Sequence, residues 1–189
     1  MAWMTIKRKD DNVGEKLKVI LTEDEINAKV TEMGRVLSED YRGKNPVLIS
    51  VLRGSVYFTV DLSRQLSTPF ILDFISISRY GGNGNPFGIV RITKDLDVNI
   101  ASRDVLVMED IVDTGLSLNY LLRNLKTRDP ASLKVCTFLN VEDRRIVDVP
   151  VDYKGFDLPD IFVVGYGLDY NEEYRNLKYI AEFSKSPAQ

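Results

Sequence analysis

Histidine is absent from the 189 residues, and cysteine occurs once, as Cys136. Without imidazole there is no Ser-His-Asp or Cys-His nucleophile, no histidine zinc site and no imidazole general base. A single thiol excludes an intramolecular disulfide and a multi-cysteine zinc site. Acid–base chemistry is left to carboxylates, Lys or Tyr, and any metal should be a hard, oxygen-bound cation such as Mg²⁺. Long apolar runs are missing too: segments 47–52 and 161–164 fall far short of the ~20 residues that cross a membrane. The opening MAWMTIKRKDD has no apolar core of a secretory signal. No membrane partner and a cytoplasmic location are therefore expected, which suits one free thiol. An excess of positive charge is also lacking. Lys and Arg number 25 against 28 Asp and Glu, for a net charge of −3, so no nucleic-acid partner is expected. No repeat and no low-complexity tract appears.

What is present suits one domain spanning residues 1–189, a length that buries roughly 70% of the unfolded chain's surface without a covalent or metal staple. Thr22-Glu-Asp-Glu25 reads as a capping box, and Ile26, Val30, Met33 and Leu37 follow at spacings of three and four. They predict a helix of about five turns. Short, nearly continuous apolar runs at 47–52 and 104–108 predict strands buried on both faces. Helices are expected at 55–66 and Leu116–Lys126, and further strands at 70–77, 89–93, 133–139, 151–156 and 162–164. Four glycines with Asn83, Asn85 and Pro86 make 78–88 an expected mobile loop. Strands alternating with helices imply an α/β fold with a mostly parallel, twisted sheet flanked by helices. Ligands in such sheets gather beyond the carboxyl ends of the strands, which directs attention to the turns after Leu52, Met108 and Leu139.

The most informative stretch is Val105-Leu-Val-Met-Glu109-Asp110-Ile111-Val-Asp113-Thr114-Gly115-Leu116-Ser117. An apolar strand delivers two adjacent carboxylates and then a third, and a Thr-Gly-x-Ser turn opens a helix. Glycine permits close backbone approach, the first helical amides point outward and two hydroxyls add donors, which together suit a phosphate. Carboxylates cannot bind that phosphate, so sugar hydroxyls, Mg²⁺ or a proton must occupy them. Taken singly, each residue reads as a solvated acid or a cap. Taken together, three carboxylates around one turn repel each other with no packing gain. No G-x-x-x-x-G-K-[ST] loop occurs, and Gly165-Tyr-Gly167 lacks the third glycine of a dinucleotide fingerprint. The charges at Glu142, Asp143, Arg144 and Arg145 read as a solvated cluster.

This string resembles the phosphoribosyl pyrophosphate (PRPP) signature of type I phosphoribosyltransferases, whose core carries a small hood and a flexible loop. More narrowly, almost the whole chain resembles hypoxanthine-guanine phosphoribosyltransferases. Leu52-Arg53-Gly54-Ser55, Arg79-Tyr80-Gly81, Val151-Asp-Tyr-Lys-Gly-Phe156 and Phe162-Val-Val-Gly-Tyr-Gly-Leu-Asp169-Tyr170, with Arg175 beyond, carry that resemblance in family order. It implies transfer of a phosphoribosyl group from PRPP to hypoxanthine or guanine, with Mg²⁺, by a homodimer or homotetramer. By the same resemblance, Glu109 and Asp110 would meet the ribose hydroxyls directly or through Mg²⁺, and Asp113 would act as general base near N7 of the purine. Residues 113–117, with Thr114, Gly115, Leu116 and Ser117, would cradle the 5′-phosphate. Leu52-Arg53-Gly54 would form a pyrophosphate loop containing a cis peptide. Phe162 would stack on the base, backbone groups of Val163 would read its edge, and Ile111 would line the base site. Asp169 would hold a second Mg²⁺, Arg175 would meet pyrophosphate, and Arg79 and Tyr80 would belong to the flexible loop.

Three residues depart from the family pattern. Val141 stands where members usually have the lysine that donates to O6 of the base, within Asn140-Val141-Glu142 in place of an Asp-Lys-Pro-like segment. Arg79 replaces a serine, and Ile161 replaces a residue that is usually charged. Losing a donor to a substrate oxygen costs ~1–3 kcal/mol of preference. An altered base is one alternative reading. A regulator of the same fold that binds RNA or a nucleotide effector is a second, opposed by the acidic charge, and a dead paralogue is a third, opposed by the intact carboxylates.

Overall fold

The computed structural model describes residues 3–6, 15–80 and 89–185. The capping box forms as expected. Thr22 N–H donates to Glu25 Oε2 (2.8 Å), and Glu25 N–H donates to Thr22 Oγ1 (3.3 Å). Helix α1 (Glu23–Asp40) follows and buries Ile26, Val30, Met33 and Leu37.

A six-stranded sheet forms the centre, in the order β5 (Ile89–Lys94), β4 (Ile71–Tyr80), β3 (Val47–Leu52), β6 (Asp104–Val112), β7 (Ser132–Asn140), β8 (Tyr153–Asp157). All its pairings are parallel except β4 with β5. Alternate residues of the central strands supply two cores, as the period of two requires. Leu48, Leu106, Met108, Cys136 and Phe138 pack with α1 and with Phe58 and Leu62 of α2 (Val56–Gln65). On the other face Val47, Ile49, Val51, Val105, Val107 and Val135 pack against Leu118, Leu121, Leu122 and Leu125 of α3 (Leu116–Lys126). Full burial on both faces explains why these strands read as unbroken apolar runs. Cys136 is buried in the first core, and burial pushes its thiol pKa up.

A second sheet joins β1 (Trp3–Ile6), β2 (Glu15–Leu21), β10 (Ile180–Lys185) and β9 (Val163–Val164), all antiparallel. It has its own small core of Leu17, Val164, Ala181 and Phe183.

Several boundaries differ from the sequence expectation. Strand β6 runs on past Met108 to Val112, so Glu109 and Asp110 are strand residues, held by pairing with β7. Strand β4 runs through Arg79 and Tyr80, paired with Val90 and Ile89, and so absorbs the first part of the expected 78–88 loop. Residues 81–88 and the side chains of Arg79 and Tyr80 lie outside what is described. Phe162 precedes β9 rather than belonging to it, and β8 begins at Tyr153. No helix among the described residues is long and apolar enough to cross a membrane.

Candidate active site

The carboxyl ends of β3 and β6 open on a cleft of about 300 Å³. It is lined by Arg53, Gly54, Glu109, Asp110, Ile111, Asp113, Gly115, Ser117, Asp169 and Arg175, with Val51, Leu52, Ile77, Val112 and Leu118 as its apolar walls. Residues far apart in sequence thus meet at the end of the sheet where parallel strands present their ligand sites.

Two backbone features shape the cleft. The Leu52–Arg53 peptide bond is cis. Gly115 caps the start of α3 with φ of 78° in the left-handed region, and a Cβ there would stand 2.4 Å from the Val147 carbonyl oxygen. Only glycine fits that position at no steric cost. The Thr114 carbonyl accepts the amides of both Ile146 and Val147 at 3.0 Å, fastening the turn to the segment after β7.

Glu109 is buried, and its pKa is raised well above the ordinary carboxylate range by burial first, then by Asp110 and Asp113. Asp110 is pushed up to about 6, chiefly by burial and further by Asp169, while the Ile111 amide (2.9 Å) and Arg175 oppose the shift. Burial and mutual repulsion thus favour the protonated form of both carboxyls, a perturbation of the kind functional sites show.

At the mouth of the cleft two arginines are tied to two carboxylates. Arg175 Nη2 lies 2.8 Å from Asp169 Oδ1 and 3.2 Å from Glu172 Oε2, while its Nη1 donates to the Gly167 carbonyl (2.7 Å). Both oxygens of Glu172 also meet Arg53 at 3.1 Å. The other oxygen of Asp169 accepts the Glu172 amide at 2.8 Å.

The remaining expected residues lie outside the lining of this cleft. Thr114 is buried behind it, and Leu116 N–H reaches Thr114 Oγ1 at 3.5 Å. Phe162 is half exposed, edge-on to Tyr170 and Phe183, and its carbonyl accepts the Phe183 amide. Val163 is buried in β9. Val141 is also buried, with its amide on the Val112 carbonyl (2.9 Å). Glu172 and Arg145 were not anticipated as site residues. No local spacing signals the first, because Glu172 and Arg175 meet in an irregular turn rather than on a helix. For Arg145 the reading as a solvated charge is corrected: its Nε is buried and its Nη2 donates to Asn140 Oδ1 at 2.6 Å.

The described residues contain no group of three or more acidic or thiol side chains able to hold a metal by themselves. Glu109 and Asp110 nevertheless supply hard oxygens in a cleft, which suit Mg²⁺ when further oxygens come from a ligand. Asp169, held by Arg175 and the Glu172 amide, lines the same cleft.

The profile of the phosphoribosyl transferase domain matches residues 17–171, and the chain belongs to that family. Its relatives narrow the group to the hypoxanthine-guanine phosphoribosyltransferases. The chain is 49% identical over 173 residues to the enzyme of that name from Mycobacterium avium, covering 88% of this chain and 85% of the relative. It is 44% identical over 163 residues to the one from Streptococcus thermophilus, covering 86% and 91%. A crystal structure of a hypoxanthine phosphoribosyltransferase from Staphylococcus aureus matches with a TM-score of 0.85 and 42% identity, covering 88% of this chain and 91% of that one. A crystal structure of a hypoxanthine-guanine phosphoribosyltransferase from Bacillus anthracis matches with a TM-score of 0.84 and 40% identity, covering 90% and 99%.

Proposed function

We propose that this chain transfers the 5-phosphoribosyl group of PRPP to hypoxanthine or guanine, releasing pyrophosphate and a nucleoside 5′-monophosphate. The observation that carries this reading is the convergence of Glu109, Asp110, Asp113 and the Gly115 turn on one cleft that Arg53 and Arg175 close at its mouth. In this reading the amides and hydroxyls of residues 113–117 hold the 5′-phosphate at the start of α3. Glu109 and Asp110 hold the ribose hydroxyls, directly or through Mg²⁺. Asp113 takes the N7 proton as N9 of the purine bonds to C1′ and the C1′–oxygen bond to pyrophosphate breaks. Arg175, Arg53 and the amides around Gly54 take up the negative charge of the leaving group. Carboxylates beside the sugar suit the positive charge that develops there. Mg²⁺, bound by Glu109 and Asp110 and by Asp169, would neutralise pyrophosphate charge. Ile111, Phe162 and the Val163 backbone form the purine side. Val141 offers no side-chain donor for O6.

In this reading Arg79 and Tyr80, at the end of β4, belong to the loop that would exclude water from the activated sugar. The unit of function in this reading is one domain over residues 1–189, assembled as a homodimer or homotetramer in the cytoplasm. The test is a steady-state assay with PRPP and Mg²⁺ against hypoxanthine, guanine, xanthine and adenine, following nucleotide and pyrophosphate. Turnover of hypoxanthine or guanine is expected, and turnover of neither would overturn the reading.

A further inference from the structure

We propose that Arg145 is a positioning residue for the 5′-phosphate turn. The proposal rests on the assignment of residues 113–117 to the phosphate, and it concerns a side chain that does not line the cleft. Arg145 lies behind the turn. Its Cδ is 3.2 Å from where a Cβ on Gly115 would stand, so its apolar stem packs directly on the glycine. Its Nη2 donates to Asn140 Oδ1 (2.6 Å) and approaches the Val112 carbonyl at 3.5 Å. Val112 ends β6 and Asn140 ends β7, so one guanidinium spans the two strand ends between which the turn departs.

The contact is anchored from both sides. Asn140 is buried, and its Nδ2 donates to Asp157 Oδ1 (2.8 Å) and Glu142 Oε1 (3.2 Å), which fixes the amide so that its oxygen faces Arg145. The next two residues, Ile146 and Val147, give their amides to the Thr114 carbonyl. Arg145 therefore sets where the strap 145–147 meets the turn, and with it the direction of the amides of residues 115–117. A positive charge behind those amides also adds to their attraction for an anion. Both acceptors are met by the single Nη2, so a lysine ammonium keeps part of the contact that methionine loses entirely. On its far side Arg145 borders a polar cleft of about 530 Å³ with Glu142, Asp148, Asp152 and Lys154, so truncation admits water rather than leaving a dry void.

This geometry predicts a split between the two ends of the active cleft. The pyrophosphate end rests on Arg53, Gly54 and Arg175, none of which contacts Arg145 in the hydrogen bonds described. Titration calorimetry of R145M and R145K with inosine 5′-monophosphate, and separately with pyrophosphate and Mg²⁺, reads the split. Expected is a loss of about tenfold or more in monophosphate affinity for R145M, a smaller loss for R145K, and pyrophosphate affinity within about twofold of wild type. The KM for PRPP should rise more than that for the base. Equal losses for both ligands would mean general loosening and overturn the proposal, as would no loss for either. Should R145M fail to fold, the same split read on R145K decides. Wild-type protein that binds neither ligand would instead overturn the proposed function.

Discussion

Gly54 sits against Asp110 so closely that a Cβ on the glycine would lie 1.5 Å from the carboxylate Oδ2. From the other side, the Gly54 carbonyl oxygen would stand 2.0 Å from a Cβ placed on Gly167. Glycine at 54 is therefore a condition for Asp110 to occupy its place beside the 52–54 turn. Gly54→Ala should displace the carboxylate while leaving the two sheet cores intact. Turnover should fall by roughly 10²-fold, as expected when a reacting group shifts by about 1 Å. Steady-state kinetics beside a thermal melt checks this, and a large drop in melting temperature would show a folding defect instead.

The raised pKa of Asp110 makes a prediction about pH and stability in the metal-free, ligand-free protein. Folding raises this carboxyl from its ordinary 3.8 to about 6, so between those values the folded state holds the proton more tightly than the unfolded state. The stabilising contribution is complete below about pH 3.8 and is lost as pH rises through 6. Glu109 shifts in the same direction. Asp110→Asn removes the charge that must be desolvated, and it should stabilise the protein at pH 7.5 by about 1–3 kcal/mol, a rise of a few degrees in melting temperature. The difference between variant and wild type should vanish near pH 4. Turnover should fall by roughly 10²-fold, because an amide cannot serve as an anionic partner for the sugar or Mg²⁺. Melting curves across pH 4–8 test the sign.

Glu172 occupies both Arg53 and Arg175 at the mouth of the cleft. In the proposed reaction pyrophosphate would compete with that carboxylate for the same guanidinium groups. Arg53 and Glu172 are largely exposed to solvent, so their mutual attraction is screened and small. Glu172→Gln should lower the KM for PRPP by about two- to fivefold at low salt, the range expected of an exposed pair, and the gain should shrink at high salt. A raised KM would show that Glu172 holds Arg175 in place rather than competing for it.

The architecture and the acidic strand end are legible in the sequence for a physical reason. Val47, Leu48, Ile49 and Val105 to Met108 are buried whichever way they point, so apolar runs mark the central strands without ambiguity. The signature from Glu109 to Ser117 is contiguous, so its chemistry is visible in one window. The second sheet is different, because β2 and β10 pair residues more than 150 positions apart, as Lys18 and Glu182 do, and neither strand has a wholly apolar run. Arg145 illustrates the same limit for the site. Its neighbours Asp143 and Arg144 are exposed charges, and only the return of the chain beneath Gly115 buries its Nε. The glycine constraint at 54 likewise depends on Asp110, 56 positions away in sequence.

Phe162 offers a test of the purine side that leaves the core alone. Its ring is half exposed and meets Tyr170 and Phe183 only edge-on, at 6.0 and 5.9 Å. An aromatic with this much free surface gains burial when a base stacks on it, as the proposed purine side has it. Phe162→Ala should therefore barely change the melting temperature, because the backbone tie from Phe183 to the 162 carbonyl survives. It should raise the KM for hypoxanthine or guanine by about 5- to 150-fold, the ~1–3 kcal/mol that stacking of a base on an aromatic contributes. Binding of PRPP to the variant should stay within about twofold of wild type. In the proposed purine site Val141 supplies no donor, so stacking should carry a larger share of base affinity than in a site with a side-chain hydrogen bond to O6. Introducing the donor as Val141→Lys in the Phe162→Ala background should then recover part of the loss for hypoxanthine and guanine and none for adenine, which has no O6 to accept it. Equal recovery for all three bases, or none, would show that position 141 does not face the exocyclic oxygen.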